Sequence, residues 1–210
     1  MKYKNMDSGI TDHKGGERTL KYISKNIISK YLIANFFKNV DDLVKLSNPF
    51  SIHEVGCGEG HIISNILEDK YTILGSDISQ ECLNIAKKML PRRHNIELIN
   101  QDIYNLNKDD HSADLIICCE VLEHLDDPKK AMEALTSITN KNLIVSVPRE
   151  PLWRVLNILR FSYLKSLGNT PGHLNHWSKK GFIAFISDYM DVVSIKSPLP
   201  WTLLLCKPKS

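Results

Sequence analysis

The sequence predicts an α/β fold in which a seven-stranded sheet, mostly parallel with its last strand antiparallel, carries helices on both faces. Three observations lead to this prediction. Short apolar segments alternate with helical patterns from residue 51 to residue 148, which is typical of βαβ units. A glycine-rich turn follows the first of these segments. Only four residues separate the last two apolar segments, so these two can pair only as an antiparallel hairpin.

The predicted elements follow one another in a regular order along the chain. A helical region spans about residues 20–44, where apolar residues recur at helical spacing, and Asn48 and Pro49 end it. Strands are then expected at residues 51–55, 71–76, 96–100, 113–119 and 142–148. The helices between them are expected at residues 61–67, 79–89 and 128–138. Two closing strands at residues 191–196 and 201–206 complete the sheet.

We expect one domain over residues 19–210, because 210 residues with 42% hydrophobic and 24% charged side chains are ordinary globular usage. Within it, residues 19–48 are predicted to form lid helices, and residues 149–190 a cap inserted after the fifth strand. Residues 1–18 are predicted to form a mobile N-terminal arm, since glycines lie among charged residues there.

Charge and cysteine content narrow the class of protein. Residues 1–150 hold 19 Lys and Arg against 22 Asp and Glu, whereas residues 151–210 hold 8 against 2, so the net charge of +3 originates in the C-terminal segment. A solvated basic face explains this asymmetry most simply, and the alternative is a cap that meets an acidic substrate, a membrane surface or nucleic acid. The five cysteines form no CxxC pair, which indicates free thiols in a reducing compartment. We find no transmembrane segment and no apolar leader, and therefore expect a cytoplasmic protein.

The sharpest local feature is the glycine-rich turn GCGEG at residues 56–60, directly after the first predicted strand. Glycines let backbone N–H groups approach a ligand closely at the carboxyl ends of the strands. The spacing is GxGxG rather than GxGxxG, and Glu54 and Glu59 flank the turn, where they would repel a pyrophosphate. A ligand with a cationic end suits this loop better, and S-adenosylmethionine carries both an ammonium and a sulfonium group.

Acidic residues recur at the ends of the next three predicted strands. Asp77 is placed to accept hydrogen bonds from two ribose hydroxyls. After the third strand, Asp102 could accept a hydrogen bond from the adenine amine, and the Ile103 backbone could contact the edge of the adenine ring. Glu120 ends the fourth strand. Each acid alone could equally be a helix cap. Their recurrence at successive strand ends favours a ligand cleft.

The segments EVGCGEG, GSDIS, QDIYNL and CCEVLEHLDDP, in this order and spacing, resemble the class I S-adenosylmethionine-dependent methyltransferases. The resemblance covers about residues 20–206 and is closest to the small-molecule branch that includes the ubiquinone-biosynthesis O-methyltransferases. The segments VPREPLWR and GNTPGHLNHWSKKGF are similar to uncharacterised bacterial methyltransferases. The resemblance implies a Rossmann-like fold, a reversed seventh strand and S-adenosyl-L-methionine as the cofactor.

The same resemblance implies roles for individual residues. The methionine end of the cofactor would be lined by Glu54, Gly56, Gly58 and Glu120, the ribose held by Asp77 and Ile78, and the adenine by Asp102 and Ile103. His124 would face the acceptor side, and it is the predicted catalytic general base if the acceptor is a hydroxyl. Three tyrosines are candidates for an aromatic that closes over the cofactor: Tyr3, Tyr22 and Tyr31.

The predicted cap carries the candidate substrate-binding residues. Its first half is apolar on more than one stripe, which indicates a helix buried against the sheet or in a homodimer, or a lid over a hydrophobic acceptor. A helix that lies on a membrane surface is the third alternative. Arg154 and Arg160 could then meet an anionic group. His173, His176 and Trp177 follow on a loop, where ordinary packing is the alternative role. The HxxH pair has no cysteine or acid nearby in the sequence, so we expect no metal.

These observations predict S-adenosylmethionine-dependent methyl transfer to an oxygen or nitrogen of a small, partly hydrophobic metabolite. The alternative is an RNA or protein methyltransferase that uses the basic C-terminal region. No NPPY-type motif follows the fourth strand and no RNA-binding module is attached, which argues against RNA; we also expect no DNA partner. A non-catalytic cofactor-binding protein is the third interpretation, and the acids at every cofactor position argue against it.

Overall fold

The protein is described by a computed structural model over residues 27–159 and 172–209. The strands are β1 (Ser51–Val55), β2 (Thr72–Asp77), β3 (Ile96–Asn100), β4 (Ala113–Cys119), β5 (Thr139–Pro148), β6 (Met190–Lys196) and β7 (Trp201–Pro208). The helices are α1 (Ile27–Ser47), α2 (His61–Ile66), α3 (Gln80–Met89), α4 (Lys108–His111), α5 (Pro128–Ile138), α6 (Leu152–Leu159) and α7 (Lys179–Ser187). The predicted arm over residues 1–18, the central part of the predicted cap, Tyr3, Tyr22 and Arg160 lie outside the described residues.

The sheet has the strand order β3-β2-β1-β4-β5-β7-β6. The first five strands pair in parallel, whereas β7 runs antiparallel to both β5 and β6. The predicted α/β sheet, mostly parallel with a reversed last strand, is therefore confirmed. The strand order reverses between β1 and β4, and ligands of such sheets bind in the crevice at the carboxyl ends of the strands on either side of this point.

Helices cover both faces of the sheet, and alternate residues of each strand point into one or the other core. On β4, Leu115 and Ile117 belong to one buried cluster, and Ile116 and Cys118 to the other. The first cluster includes residues of α1, α2 and α3, and the second includes residues of α5 and α7. After the partly exposed Asp114 near its start, the strand is apolar because both of its faces are buried.

Helix α1 is the described part of the predicted lid region, and much of it belongs to the core. Phe36, Val40 and Leu43 are buried, and the ring of Phe36 packs against Trp201 with centroids 4.9 Å apart. The first turns of the helix are exposed at Ile27, 84%, and at Tyr31, 70%. A lid role for residues 19–48 stays a prediction, and within α1 the exposed first turns are the part available to serve it.

Some elements differ from the sequence prediction. Helix α4 and the two 3-10 turns, Ile103–Asn105 and Leu122–His124, were not predicted, because each is held by polar caps or tertiary contacts rather than by an apolar stripe. Strand β5 begins at Thr139, three residues earlier than expected. The sequence does not predict this start because Asn140 and Lys141 are exposed and show no alternation of apolar residues.

All five cysteines are buried and free, as predicted. Over residues 27–159 and 172–209, no helix has the length and apolar character to cross a membrane.

Candidate functional site

The turn after β1 joins β1, β2 and α2 at the crevice. Gly56 and Cys57 both donate their backbone N–H to the Ser76 carbonyl, at 2.8 and 2.9 Å. Gly56, Gly58 and Gly60 have φ of 74°, 53° and 80°. This left-handed region costs an L-residue about 1–2 kcal/mol, so the turn conformation itself requires glycines.

Two of these glycines have opposite surroundings. A Cβ atom at Gly56 would lie 2.4 Å from Cγ2 of Val121, in the segment that follows β4. A Cβ atom at Gly58 would have no described heavy atom within 4 Å. Gly56 therefore permits the close approach of the loops after β1 and β4, and Gly58 leaves an open face from which a ligand can reach the backbone.

Asp77, at the end of β2, braces this loop. Its Oδ2 accepts from the Gly58 N–H and its Oδ1 from the Ser79 N–H, both at 2.8 Å. Each carboxylate oxygen has a further lone pair with which it can accept from a ligand hydroxyl. The next residue, Ile78, is 71% exposed and presents an apolar surface beside the carboxylate.

Glu54 is buried in β1 and points toward the start of α2. Its Oε2 accepts from the Ile63 N–H at 3.2 Å, so it satisfies a free donor in the first turn of that helix. Burial raises the pKa of the Glu54 carboxyl well above its usual range, and the charge of Asp77 raises it further. Glu59, the other acid of the loop, is also buried and lies 3.3 Å from Nε2 of His61.

The acids after β3 and β4 are held by different partners. Asp102 caps the short 3-10 turn by accepting from the Tyr104 N–H at 2.9 Å, and Ile103 is buried in the second core cluster. Glu120 has φ of 60°, and its carboxylate accepts from the Ser146 hydroxyl and from Trp201 Nε1, at 3.2 and 2.7 Å. Glu120 thus ties the end of β4 to β5 and β7.

His124 meets the predicted cap. Its Nδ1 lies 2.9 Å from the carbonyl oxygen of Gly172, and its ring lies edge-on to that of His173 with centroids 4.9 Å apart. Since a carbonyl only accepts, Nδ1 carries the hydrogen and Nε2 of the neutral ring carries the lone pair. His124 is the candidate general base and His173 is a candidate substrate-binding residue, and the fold brings these two side chains together.

The other candidate substrate residues lie further along the cap. His176 Nδ1 and Arg154 Nε both lie 3.7 Å from Oε1 of Glu150, which is largely buried. Trp177 stacks on Phe185 with ring centroids 5.5 Å apart. Its position favours the packing role that the sequence analysis named as the alternative.

Sequence reasoning did not single out three residues of this region: Glu123, Glu150 and Trp201. Glu123 stands beside His124 in EVLEH, so an acid next to a candidate base was a visible signal. Glu150 and Trp201 acquire their partners only through contacts between distant segments, such as the Trp201 hydrogen bond to Glu120.

The residues at the crevice fit S-adenosylmethionine. Carboxylates at the ends of the adjacent strands β2 and β3 suit the ribose and the adenine amine, and exposed Ile78 offers an apolar contact to a flat ring. Gly58, with its open face, is hydrogen-bonded to Asp77, and its neighbour Gly56 lies against Val121 in the segment after β4. When bound, this cofactor supplies an activated methyl group.

Comparison with known proteins agrees with this fit. Residues 53–144 match the methyltransferase domain family. The ubiquinone biosynthesis O-methyltransferase of Coxiella burnetii is 33% identical over 81 residues, which are 38% of this chain and 35% of that protein. The mitochondrial ubiquinone biosynthesis O-methyltransferase of Saccharomyces cerevisiae is 23% identical over 177 residues, 78% of this chain and 57% of that protein. The chain thus spans less than two thirds of either relative.

Among solved structures, the magnesium protoporphyrin IX methyltransferase of Synechocystis PCC 6803 with bound SAH has the same fold. The TM-score is 0.69 at 18% identity, and the match covers 93% of each chain. The domain match over residues 53–144, the relatives and the shared fold together show that the chain contains a methyltransferase domain of the kind that uses S-adenosylmethionine.

Proposed function

We propose that the protein transfers a methyl group from S-adenosylmethionine to an oxygen or nitrogen of a small, partly hydrophobic acceptor. One observation carries the proposal: the fold brings His124 and the cap residue His173 together. His124 is only three residues from Val121, whose side chain lies against Gly56. A candidate acceptor site therefore adjoins the candidate cofactor loop. The ubiquinone-biosynthesis relatives act on small molecules, which supports the same acceptor class.

We propose the following cofactor contacts. Glu54, Gly56, Gly58 and Glu120 surround the methionine end, Asp77 and Ile78 bind the ribose, and Asp102 and Ile103 bind the adenine. Glu54 is buried and Glu120 is half-buried, and the hydrogen bonds of both carboxylates support a role in holding the loops after β1 and β4 in place. Asp77 both braces Gly58 and retains acceptor capacity for the ribose.

His124 is our candidate for the group that prepares an acceptor hydroxyl. Its Nε2 carries the lone pair, so it can take the hydroxyl proton as the oxygen–methyl bond forms and the sulfur–methyl bond breaks. Its side chain is 27% exposed, which leaves room for an acceptor to reach it. An amine acceptor needs only to be neutral and correctly positioned.

The cap supplies our candidate acceptor contacts. Arg154 and His176 both lie 3.7 Å from Oε1 of Glu150, which brings these two candidate residues to the same carboxylate. His173 lies next to His124, and Trp177 borders the same loop. The free, buried cysteines support our proposal that the protein works in a reducing cytoplasm.

The experiment is an acceptor screen with isotopically labelled S-adenosylmethionine, read by mass spectrometry of the small-molecule products. We expect a labelled methyl group on hydroxylated or amino aromatic compounds, and loss of this product in Gly58→Ala. Labelling of RNA or protein alone would contradict the small-molecule assignment.

The net charge of residues 151–210, +6, favours one second candidate, an RNA or protein methyltransferase. The same assay with total RNA and with protein extract as acceptors tests it. Binding of RNA that weakens steeply with salt, together with labelled RNA, would establish it.

A further inference from the structure

We propose that Glu123, His124 and His173 bind a divalent first-row transition ion, such as Zn²⁺ or Mn²⁺, through one carboxylate and two imidazoles. Among the described residues, candidate ligand atoms of these three all lie within 4.8 Å of one another. Two histidines and one carboxylate form a donor set typical of catalytic sites for such ions.

The distances are close to those of a bound site. Nε2 of His124 lies 3.9 Å from Oε1 of Glu123. Ligand atoms that lie about 2.0–2.2 Å from a tetrahedral ion are roughly 3.4 Å from one another. Shifts of up to about 0.7 Å per ligand atom would therefore bring atoms that are 4.8 Å apart to this distance.

His124 is already oriented as a metal ligand. Its Nδ1 lies 2.9 Å from the Gly172 carbonyl oxygen, which fixes the tautomer and leaves the Nε2 lone pair on the side of Glu123. Metal-binding histidines commonly donate their other ring N–H to a carbonyl or carboxylate in this way. His173 is held in turn by Trp153, whose ring stacks on it with centroids 6.0 Å apart.

The two segments that supply the ligands are joined by backbone hydrogen bonds. Leu174 and Asn175 donate their N–H groups to the Glu123 carbonyl, at 2.8 and 3.0 Å. The Asn175 side-chain amide donates to the carbonyls of Leu122 and Leu125, at 3.3 and 2.6 Å. None of these bonds uses a ligand atom, so the site is preorganised by the chain around it.

Burial and exposure complement this geometry. The side chain of Glu123 is 2% exposed, and a buried carboxylate is stabilised strongly by a nearby cation. His124 is more exposed, so one side of the site is accessible. A site with three protein ligands and one accessible position can bind a further oxygen ligand.

The location would give the ion a role in the proposed methyl transfer. This role rests on the proposed function. An acceptor hydroxyl bound at the accessible position would lose its proton to water more readily, because a bound divalent ion lowers the pKa of its oxygen ligands. The oxygen–methyl bond then forms as the sulfur–methyl bond breaks, and no oxidant or reductant is needed. With the ion bound, His124 acts as its ligand and not as the general base.

This proposal departs from the sequence prediction of no metal. That prediction considered the HxxH pair, His173 and His176, alone. In the fold only His173 of the pair joins the cluster, while His176 lies beside Glu150. The acid and the second histidine come from the segment after β4, about 50 residues earlier in the chain.

The test is metal binding by the full chain without a polyhistidine tag, stripped with a chelator and kept free of cofactor. Co²⁺ is titrated and followed by its visible absorption, and Zn²⁺ and Mn²⁺ are titrated by calorimetry. We expect one ion per chain at micromolar affinity or tighter. Binding only at millimolar concentrations, or without stoichiometry, would overturn the proposal.

Variants locate the ion. Glu123→Gln and His173→Gln should weaken binding by at least about 100-fold, since removing even an outer partner of a ligand costs about 10–100-fold. His176→Gln, on the same loop but outside the cluster, is the matched control and should bind as the unsubstituted chain does. Thermal unfolding checks that each variant folds, and if Glu123→Gln does not, His173→Gln decides. Equal affinity in all variants would refute this site.

The outcome is separable from the proposed function. Metal binding is measured without methyl transfer, so it can succeed when no acceptor is found. Methyl transfer that is unchanged after complete chelation would keep the proposed function and would remove the ion from its mechanism. Turnover lost on chelation and restored by one equivalent of ion would support both.

Discussion

Replacing Gly56 and Gly58 one at a time by alanine separates folding from cofactor binding in the glycine-rich loop. Both residues have positive φ, 74° and 53°. An alanine therefore costs about 1–2 kcal/mol at either position. A stiffer unfolded chain offsets about 0.4–1 kcal/mol of this cost in both variants.

The surroundings make the two variants differ. At residue 56 the new Cβ would lie 2.4 Å from Val121 Cγ2, far inside the contact distance of about 3.5–4.0 Å between carbon atoms. Relieving such a clash costs about 1–3 kcal/mol. At residue 58 nothing described lies within 4 Å of the Cβ. We expect Gly56→Ala to lower the free energy of unfolding by about 2–4 kcal/mol, and Gly58→Ala by about 1 kcal/mol.

The assay pairs urea unfolding with calorimetric binding of SAH, the demethylated cofactor. Gly58→Ala should bind SAH at least about tenfold more weakly, which corresponds to about 1.4 kcal/mol, because its methyl group occupies the open face. Gly56→Ala, whose new methyl group faces Val121, should lose less SAH affinity than Gly58→Ala once corrected for the folded fraction. Adding Val121→Ala to Gly56→Ala should restore part of the lost stability, and Val121→Ala alone is the control.

Two results would refute this reasoning. Equal stability losses in the two variants would show that the contact with Val121 is not the decisive difference. Unchanged SAH affinity in Gly58→Ala would show that the open face is not the face used by the cofactor.

Three further predictions follow from single residues. His53 is buried, and desolvation lowers its pKa from 6.5 to about 4. As pH falls, His53 is therefore protonated in the unfolded chain at a higher pH than in the folded chain, which favours unfolding. The free energy of unfolding should drop by about 2 kcal/mol more between pH 7.5 and pH 5 than in His53→Gln, measured in urea. Asp77→Asn should weaken SAH binding by about 2 kcal/mol, and an unchanged dissociation constant would assign Asp77 to loop bracing alone. His124→Ala should lower turnover by about 100- to 10,000-fold with SAH affinity intact. If turnover per folded molecule is unchanged, His124 has only a packing role.

Local sequence patterns located strands well where both faces are buried. Residues 113–119 were predicted as a central strand, and β4 spans Ala113–Cys119. The pattern was weaker at the start of β5, where exposed residues of an early strand look like a loop. The predicted fold, the methyltransferase domain and the cofactor are confirmed, because the glycines and acids at strand ends are local features of the chain.

The same local patterns do not predict the orientation of individual side chains. Glu54 was predicted to line the cofactor, and its carboxylate binds the Ile63 N–H inside the first turn of α2. Glu120 reaches Trp201, 81 residues later. These orientations depend on neighbours that no local motif contains, so the roles of individual acids stay predictions for mutagenesis.

The sequence by itself determined the sheet, the crevice and the class of cofactor, because alternating apolar segments and a GxGxG turn are properties of adjacent residues. Only the tertiary structure decided which histidine meets which acid. The HxxH motif paired His173 with His176, whereas hydrogen bonds from Leu174 and Asn175 to the Glu123 carbonyl place His173 against His124. Contacts between segments about 50 residues apart form only when the sheet is complete, and they build the site where we place both the acceptor and the metal ion.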